Sequence, residues 1–189
     1  CFLDLADSEP CFRRIEQVME REAGIARILV YPTEGKVAGA EHMERMRSFL
    51  HRTGLEVLLF AGTDAFFTEL NRERPPTGTA DGAAFSLNPT VHADDDLSLL
   101  ETLPIQGLCI RDLKAMGAER ISVSPLTFRM RRNPNATTPE GYPVPEDRQM
   151  DARQWTAFGA CWMMGSVKYL TEAGADSITL FRAAGPVGI

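Results

Sequence analysis

Short apolar segments and amphipathic helical segments alternate along this sequence, and that alternation is what most restricts its fold. The strand-like segments are centred near residues 3, 28, 58, 84, 122 and 179, with a helical pattern between each pair. Strands separated by helices pair in parallel, because each crossover must return over the sheet. The segments are nearly continuous apolar runs, as is typical of strands covered on both faces. The sequence therefore predicts an α/β fold with a parallel sheet.

Proline, aspartate and glycine mark the predicted helix boundaries. One or two helices fill 97–116, with Pro104 as a break and Gly117 as the stop. Asp151 is predicted to cap a long last helix that Gly174 ends. The residues expected on the inward face of that helix are Trp155, Phe158, Trp162 and Leu170.

Two architectures fit such a sheet, an open doubly wound sheet and a closed eight-stranded barrel. No GxGxxG or GxxxxGK[ST] run follows any strand, so neither usual nucleotide-binding fingerprint favours the open sheet. We therefore predict a partial (β/α)8 TIM barrel with about six of its eight strands present. One incomplete catalytic domain is expected over 1–189, truncated at both ends, which leaves a signal peptide open.

Composition excludes several classes of protein. The chain has 189 residues, 44% of them hydrophobic, as expected for one globular domain. The formal charge of −6 is mild and spread along the chain, so we expect no nucleic-acid or membrane partner. The four cysteines form no CxxC pair, so we expect small buried side chains in a reducing, cytoplasmic setting. No metal or cofactor is predicted, and the oligomeric state stays open.

Active sites of such barrels are built by the loops that follow the strands. The helix-to-strand connections are short glycine turns, whereas 88–96 and 125–150 are long polar segments on the opposite side. We expect the turn at Asp64, the arginine-rich segment and His92 to surround one hollow. The candidate residues, in chain order, are Asp64, Glu69, Asn71, Arg72, Asn88, His92, Ser124, Arg129, Arg131, Arg132, Asn133, Asn135 and Arg182.

Each candidate also has a plainer interpretation. Asp64 would cap the next helix, and Glu69 with Arg72 would form an exposed i,i+3 pair. His92 would be structural, and the acidic residues after it would begin a helix rather than bind a metal. Arginines in the segment 129–132 suit a carboxylate or sugar hydroxyls, but we expect at least one of the three to be a solvated loop charge.

Several strings of residues carry a resemblance. They are 62–72, 88–93, 122–127, 132–137, 158–162 and 168–170. In this order they are similar to the D-apionate lactonase family. The resemblance implies a glycosidase-like barrel, flanked in full-length members by β-rich regions. It also implies hydrolysis of D-apionolactone to D-apionate in bacterial catabolism of apiose.

Opening a lactone is ester hydrolysis, and it needs three kinds of group. A base activates water, the developing charge on the carbonyl oxygen is stabilised, and the ring oxygen is protonated as it leaves. We assign Asp64 or Glu69 as the base and His92 as the proton carrier. We predict that Arg129, Asn133 and Asn135 hold the substrate. The further predicted binding residues are Asn71, Arg72, Asn88, Ser124 and Arg182.

Arg182 departs from the pattern of the family, in which the last strand usually ends in a glutamate. If that glutamate is essential, Arg182 inverts the charge and a paired-carboxylate mechanism fails. Two further hypotheses therefore stand beside the lactonase. One is a glycosidase, which needs two carboxylates about 5 to 9.5 Å apart. The other is a catalytically silent barrel that binds carbohydrate.

Overall fold

A computed structural model describes residues 1–21, 24–138, 141–182, 185 and 188, and its strands form one six-stranded sheet. Neighbouring strands in the sheet are neighbours in the sequence, and every pair is parallel. The predicted parallel α/β sheet is confirmed. In chain order the strands are β1 (Phe2–Leu3), β2 (Arg27–Pro32), β3 (Leu58–Thr63), β4 (Gly82–Leu87), β5 (Ile121–Leu126) and β6 (Ser177–Leu180).

Helices lie between the strands, as the periodicity predicts. They are α1 (Glu9–Arg21), α2 (Ala40–Thr53), α3 (Phe67–Glu73), α4 (Asp96–Glu101), α5 (Leu103–Ala115) and α6 (Ala157–Ala173). Pro104 is the second residue of α5, just after the junction with α4 at Thr102, so the predicted break is confirmed. Two short 3-10 turns, Glu146–Arg148 and Ala152–Trp155, precede α6. No helix among the described residues is long and apolar enough to cross a membrane.

The sheet is curved, and one hydrogen bond demonstrates the curvature. The Tyr31 hydroxyl on β2 donates to the carbonyl of Ser124 on β5, at 2.7 Å. Two strands lie between them, so a flat sheet would separate their backbones by about 14 Å. A tyrosine side chain cannot reach that far. The strands therefore curl toward one another, as in a partial (β/α)8 barrel with six of eight strands.

Glycine on the concave face makes room for the aromatic side chains inside the curve. A Cβ on Gly62 would lie 2.6 Å from the Tyr31 ring, and one on Gly82 would lie 2.5 Å from the Phe60 ring. Tyr31 and Phe60 form a small inner cluster with Ala84. On the convex face, one apolar cluster packs the first strands against α1 and α2, and a second packs β4 and β5 against α5 and α6.

Two predicted boundaries are wrong. The strand predicted to be centred near residue 58 is β3, which begins at Leu58 and runs to Thr63 because Gly62 and Thr63 continue the pairing with β4. Asp151 caps the 3-10 turn instead of a long helix, accepting from the Arg153 N–H. Thr156 is extended and caps α6 through the Gly159 N–H. Trp155 therefore lies outside the helix and is 54% exposed, not inward-facing as predicted.

Candidate functional site

The candidate residues lie at the edge of the sheet where the parallel strands end, as the barrel geometry requires. The structure divides most of them between two places. One group surrounds Asp64 above the strand ends. The other lines a cavity beside α3. The predicted single hollow is therefore two neighbouring sites, and each is built by a different set of loops.

Asp64 follows β3 and carries a buried carboxylate, with 4% of its side chain exposed. The Arg131 guanidinium donates to its Oδ1 at 2.6 Å, and Nε of Arg132 lies 3.7 Å from its Oδ2. Burial raises the pKa of the Asp64 carboxyl above its ordinary value, and the two guanidinium groups oppose that shift. Asp64 is not a helix cap, since Phe66 occupies the N-cap position of α3.

Arg132 fixes the long segment after β5 across the strand ends. Its guanidinium carbon lies 4.1 Å from the centre of the Phe2 ring and 5.0 Å from that of Tyr142. Both distances are within the range of cation–π attraction. The Tyr142 hydroxyl also donates to the Gly35 carbonyl at 3.4 Å. This segment therefore covers the end of the curved sheet next to Asp64.

The cavity beside α3 has a volume of about 540 Å³ and lies between α3, the end of β4 and the helices α4 and α5. Cavities of this size hold small ligands. Asp64 and Arg131 are not among the described residues that line it. Five candidates do line it, namely Glu69, Arg72, Asn88, His92 and Asn135. Phe66, Phe67, Leu87, Val91 and Ile105 supply its apolar walls.

Glu69 is the carboxylate of this cavity, and 5% of its side chain is exposed. Its Oε1 accepts from Nη1 of Arg72 at 2.9 Å. Its Oε2 lies 3.1 Å from Nζ of Lys36, in the connection between β2 and α2. The predicted i,i+3 pair is present, but its acidic member is buried, not exposed. Lys36 was not a candidate, because nothing in its local sequence relates it to Glu69.

Two buried amide oxygens near the cavity have no hydrogen-bond partner among the described residues. They are Oδ1 of Asn88 and Oε1 of Gln106. The Gln106 amide nitrogen donates to the Ser166 hydroxyl at 3.0 Å. Both residues line the cavity, so its walls have unused capacity to accept hydrogen bonds from a polar ligand. Gln106 was also missed from the sequence, where it reads as an ordinary helical residue.

Arg129 belongs to a network of charges that connects the loops after β4 and β5. It lies 2.8 Å from Asp94 and 2.9 Å from Asp151. Arg153 also pairs with Asp94 and Asp151, at 2.5 and 2.7 Å. Burial by itself would raise the pKa of Asp151, but hydrogen bonds from Arg153 and the charge of Arg129 bring that pKa below its ordinary value. The Arg129 guanidinium thus already has two carboxylate partners.

One expectation about the arginine-rich segment is wrong. We expected at least one of Arg129, Arg131 and Arg132 to be a solvated loop charge. Each of them instead lies within 4.0 Å of a carboxylate. The sequence could not reveal this, because the acidic partners lie in the loops after β3 and β4 and before α6.

The remaining candidates have local roles or lie at the surface. Ser124 uses its carbonyl to accept from Tyr31. The Asn133 side chain accepts from the Asn135 N–H at 3.1 Å, which forms a local turn. Arg182 is 43% exposed and pairs with Glu146 at 2.7 Å. Asn71 and His92 are exposed, His92 at the rim of the cavity.

The cysteines and acidic residues do not form a reactive or metal-binding group in the part of the chain that the structure describes. No three His, Cys, Asp or Glu side chains there lie close enough to hold a metal ion. Burial, together with the charge of Asp112, raises the pKa of Cys109 in the cavity wall to about 11. This thiol is therefore protonated at neutral pH. Cys1 and Cys161 are exposed, so the expectation of four buried cysteines is wrong.

Comparison with known proteins gives a consistent picture. A family model described as "D-apionate lactonase, TIM barrel domain" matches residues 14–189. A D-apionate lactonase from Brucella anthropi is 32% identical over 136 residues, which cover 69% of this chain and 22% of that relative. The chain thus spans about a fifth of the length of the curated relative that it matches. No solved structure gives a significant match.

Proposed function

This chain belongs to the D-apionate lactonase TIM-barrel family, and from that membership we propose that it is the barrel part of a hydrolase that opens a sugar-acid lactone. The relative is named for D-apionate, so we propose D-apionolactone as the substrate, in bacterial catabolism of apiose. The whole enzyme would draw on further strands and domains, since the chain corresponds to 22% of that relative.

The observation that carries the proposal is the position of Glu69. It is an almost fully buried carboxylate in the wall of a cavity of about 540 Å³, with His92 at the rim and Asn88 in the same wall. A base, a proton carrier and a hydrogen-bonding amide are the groups that ester hydrolysis requires. A five-membered lactone is well below the cavity in size.

The reaction is assigned to these groups as follows. Glu69 accepts a proton from water while the water oxygen bonds to the lactone carbonyl carbon. The Asn88 amide is suited to bind the substrate, because its N–H can donate to the carbonyl oxygen and its Oδ1 can accept from a hydroxyl of the sugar. The bond between the carbonyl carbon and the ring oxygen then breaks, and His92 delivers a proton to that oxygen. The product is an open hydroxy acid, whose carboxylate Arg72 would attract.

Asp64 is the alternative base, and it is the weaker candidate. The raised pKa of its carboxyl would suit a base near neutral pH. However, both carboxylates are paired with cations, and Asp64 does not line the described cavity, whereas Glu69 does. Its pairing with the segment after β5 favours a structural role.

Proton release on adding D-apionolactone, and separately an unsubstituted five-membered lactone, tests the proposal. The assay uses the longest natural protein that carries this chain. We expect Glu69→Gln to lower kcat by about 10²- to 10⁴-fold, and Asp64→Asn to retain most of the turnover. If neither lactone is opened, the lactonase proposal is wrong. Release of a reducing sugar from a glycoside would instead make the protein a glycosidase.

A further inference from the structure

The contact between Lys36 and Glu69 joins parts of the chain that are distant in sequence. Lys36 lies in the connection after β2, and Glu69 lies in α3, which follows the neighbouring strand β3. Their Nζ and Oε2 atoms are 3.1 Å apart. Lys36 is not among the described residues that line the cavity, and its contact with the cavity wall is through Glu69.

Glu69 and its two cationic partners, Lys36 and Arg72, differ in how far their side chains are exposed. The Glu69 side chain is 5% exposed, whereas those of Lys36 and Arg72 are 35% and 65% exposed. Each carboxylate oxygen therefore has its own cation, and both cations reach solvent. Arg72 sits one turn later on the same helix, so it moves with Glu69 and cannot by itself fix the carboxylate relative to the sheet. Lys36 approaches from another element and can do so.

We infer that Lys36 is a positioning residue for lactone opening, whose ammonium group holds Oε2 of Glu69 and thereby sets the direction of the basic carboxylate. The inference rests on the proposed function, in which Glu69 activates water. A base must be held close to its productive geometry, and small displacements of a catalytic group lower turnover strongly. Lysine suits this role because it offers a compact charge with three N–H donors.

Steady-state kinetics on D-apionolactone tests the inference, again in the longest natural protein that carries the chain. We expect Lys36→Met to lower kcat by about 10- to 100-fold while KM changes by less than about twofold. Lys36→Arg, which keeps charge and donors, should recover kcat to within about fivefold of the wild type. The kcat of Lys36→Gln, which keeps an N–H donor without the charge, should lie between those of the other two variants. Lys36→Gln replaces Lys36→Met if the methionine variant does not fold.

Lys168→Met is the matched control. Lys168 also pairs with a glutamate, Glu172, at 2.8 Å, but both lie exposed on α6. The same substitution there removes the same charge and one ion pair, so kcat should not change. A fall in kcat equal to that of Lys36→Met would show a general effect of lost charge and would overturn the inference.

The double variant Lys36→Met with Glu69→Gln separates positioning from an independent role. If Lys36 acts through Glu69, the double variant loses no more turnover than Glu69→Gln alone. Additive losses, or an unchanged kcat in Lys36→Met, overturn the inference and leave the lactonase proposal intact. Wild-type protein without lactonase activity, or full turnover in Glu69→Gln, overturns the proposed reaction or its base, and the inference with it.

Discussion

The Tyr31 hydroxyl donates to the Ser124 carbonyl at 2.7 Å, and this bond spans the concave face of the sheet from β2 to β5. Tyr31 is 6% exposed, so its hydroxyl has little access to water. Burial raises the pKa of the Tyr31 phenol, which keeps the hydroxyl protonated and able to donate. The bond therefore connects strands that are not neighbours, and it helps to maintain the curvature on which the site depends.

Tyr31→Phe should destabilise the fold by about 1 to 2 kcal/mol, because the half-buried Ser124 carbonyl loses its donor while the ring is kept. Chemical denaturation measures the change in the free energy of unfolding. Tyr142→Phe is the control, since its hydroxyl makes a longer bond of 3.4 Å in an exposed place. Equal losses in the two variants would contradict a special role for the bond between β2 and β5.

Asp151 should make stability depend on acid pH. Its pKa is lowered in the folded state, so the stabilisation is present above its ordinary pKa of 3.8 and is lost as pH falls through the folded-state value. Asp151→Asn removes charge-assisted hydrogen bonds and should cost about 2 kcal/mol at pH 7. Its cost should shrink below about pH 4. Unfolding measured at pH 7 and pH 3 checks this, and a cost independent of pH would contradict it.

Asp64 should make the stability of the fold depend on pH in the opposite direction. Its pKa is raised in the folded state, so ionisation opposes folding, and stability falls as pH rises from the ordinary value of 3.8 through the folded-state value. Relative to the wild type, Asp64→Asn should therefore gain stability as pH rises over that interval. The quantity to compare is how the difference in unfolding free energy between the variant and the wild type changes with pH. Loss of the pair with Arg131 adds to that difference at any one pH. If Asp64→Asn instead loses stability relative to the wild type between pH 4 and pH 8, the raised pKa of Asp64 is contradicted.

Cys109 should resist alkylation. Its pKa of about 11 leaves few thiolate groups at pH 8, whereas Cys161 is exposed at the surface of α6. We expect iodoacetamide to modify the exposed Cys161 more than about 10-fold faster, because the thiolate is the nucleophile and the Cys109 thiol stays protonated. Peptide mass spectrometry over a time course measures both rates. Comparable rates would mean that the wall of the cavity opens to solvent.

The fold could be predicted because its signals are local. Apolar runs and helical periodicity gave all six strand positions, and Pro104 marked the boundary between α4 and α5. Errors arose where long-range pairing extended an element, as at the end of β3, where Gly62 and Thr63 continue the ladder with β4. They also arose where Thr156, in an extended conformation, interrupted the predicted last helix.

The site was predictable only in part, for a physical reason. Barrel geometry places residues that follow strands at one edge, and on this basis Glu69, Asn88 and His92 were predicted to lie there, where they line the cavity. The ion pairs at that edge depend on how separate loops lie against each other. No local pattern could indicate that Lys36 would reach Glu69, or that Arg129 would be occupied by carboxylates from two other segments.

The charge network between the loops after β4 and β5 restricts how this region can change by mutation. Asp94 pairs with both Arg129 and Arg153, so its loss leaves two guanidinium groups short of a partner at once. His92 and Asn135, one from each loop, line the same cavity. Adaptation to a differently shaped substrate would therefore require compensating substitutions in both loops, and homologues should show these positions changing together.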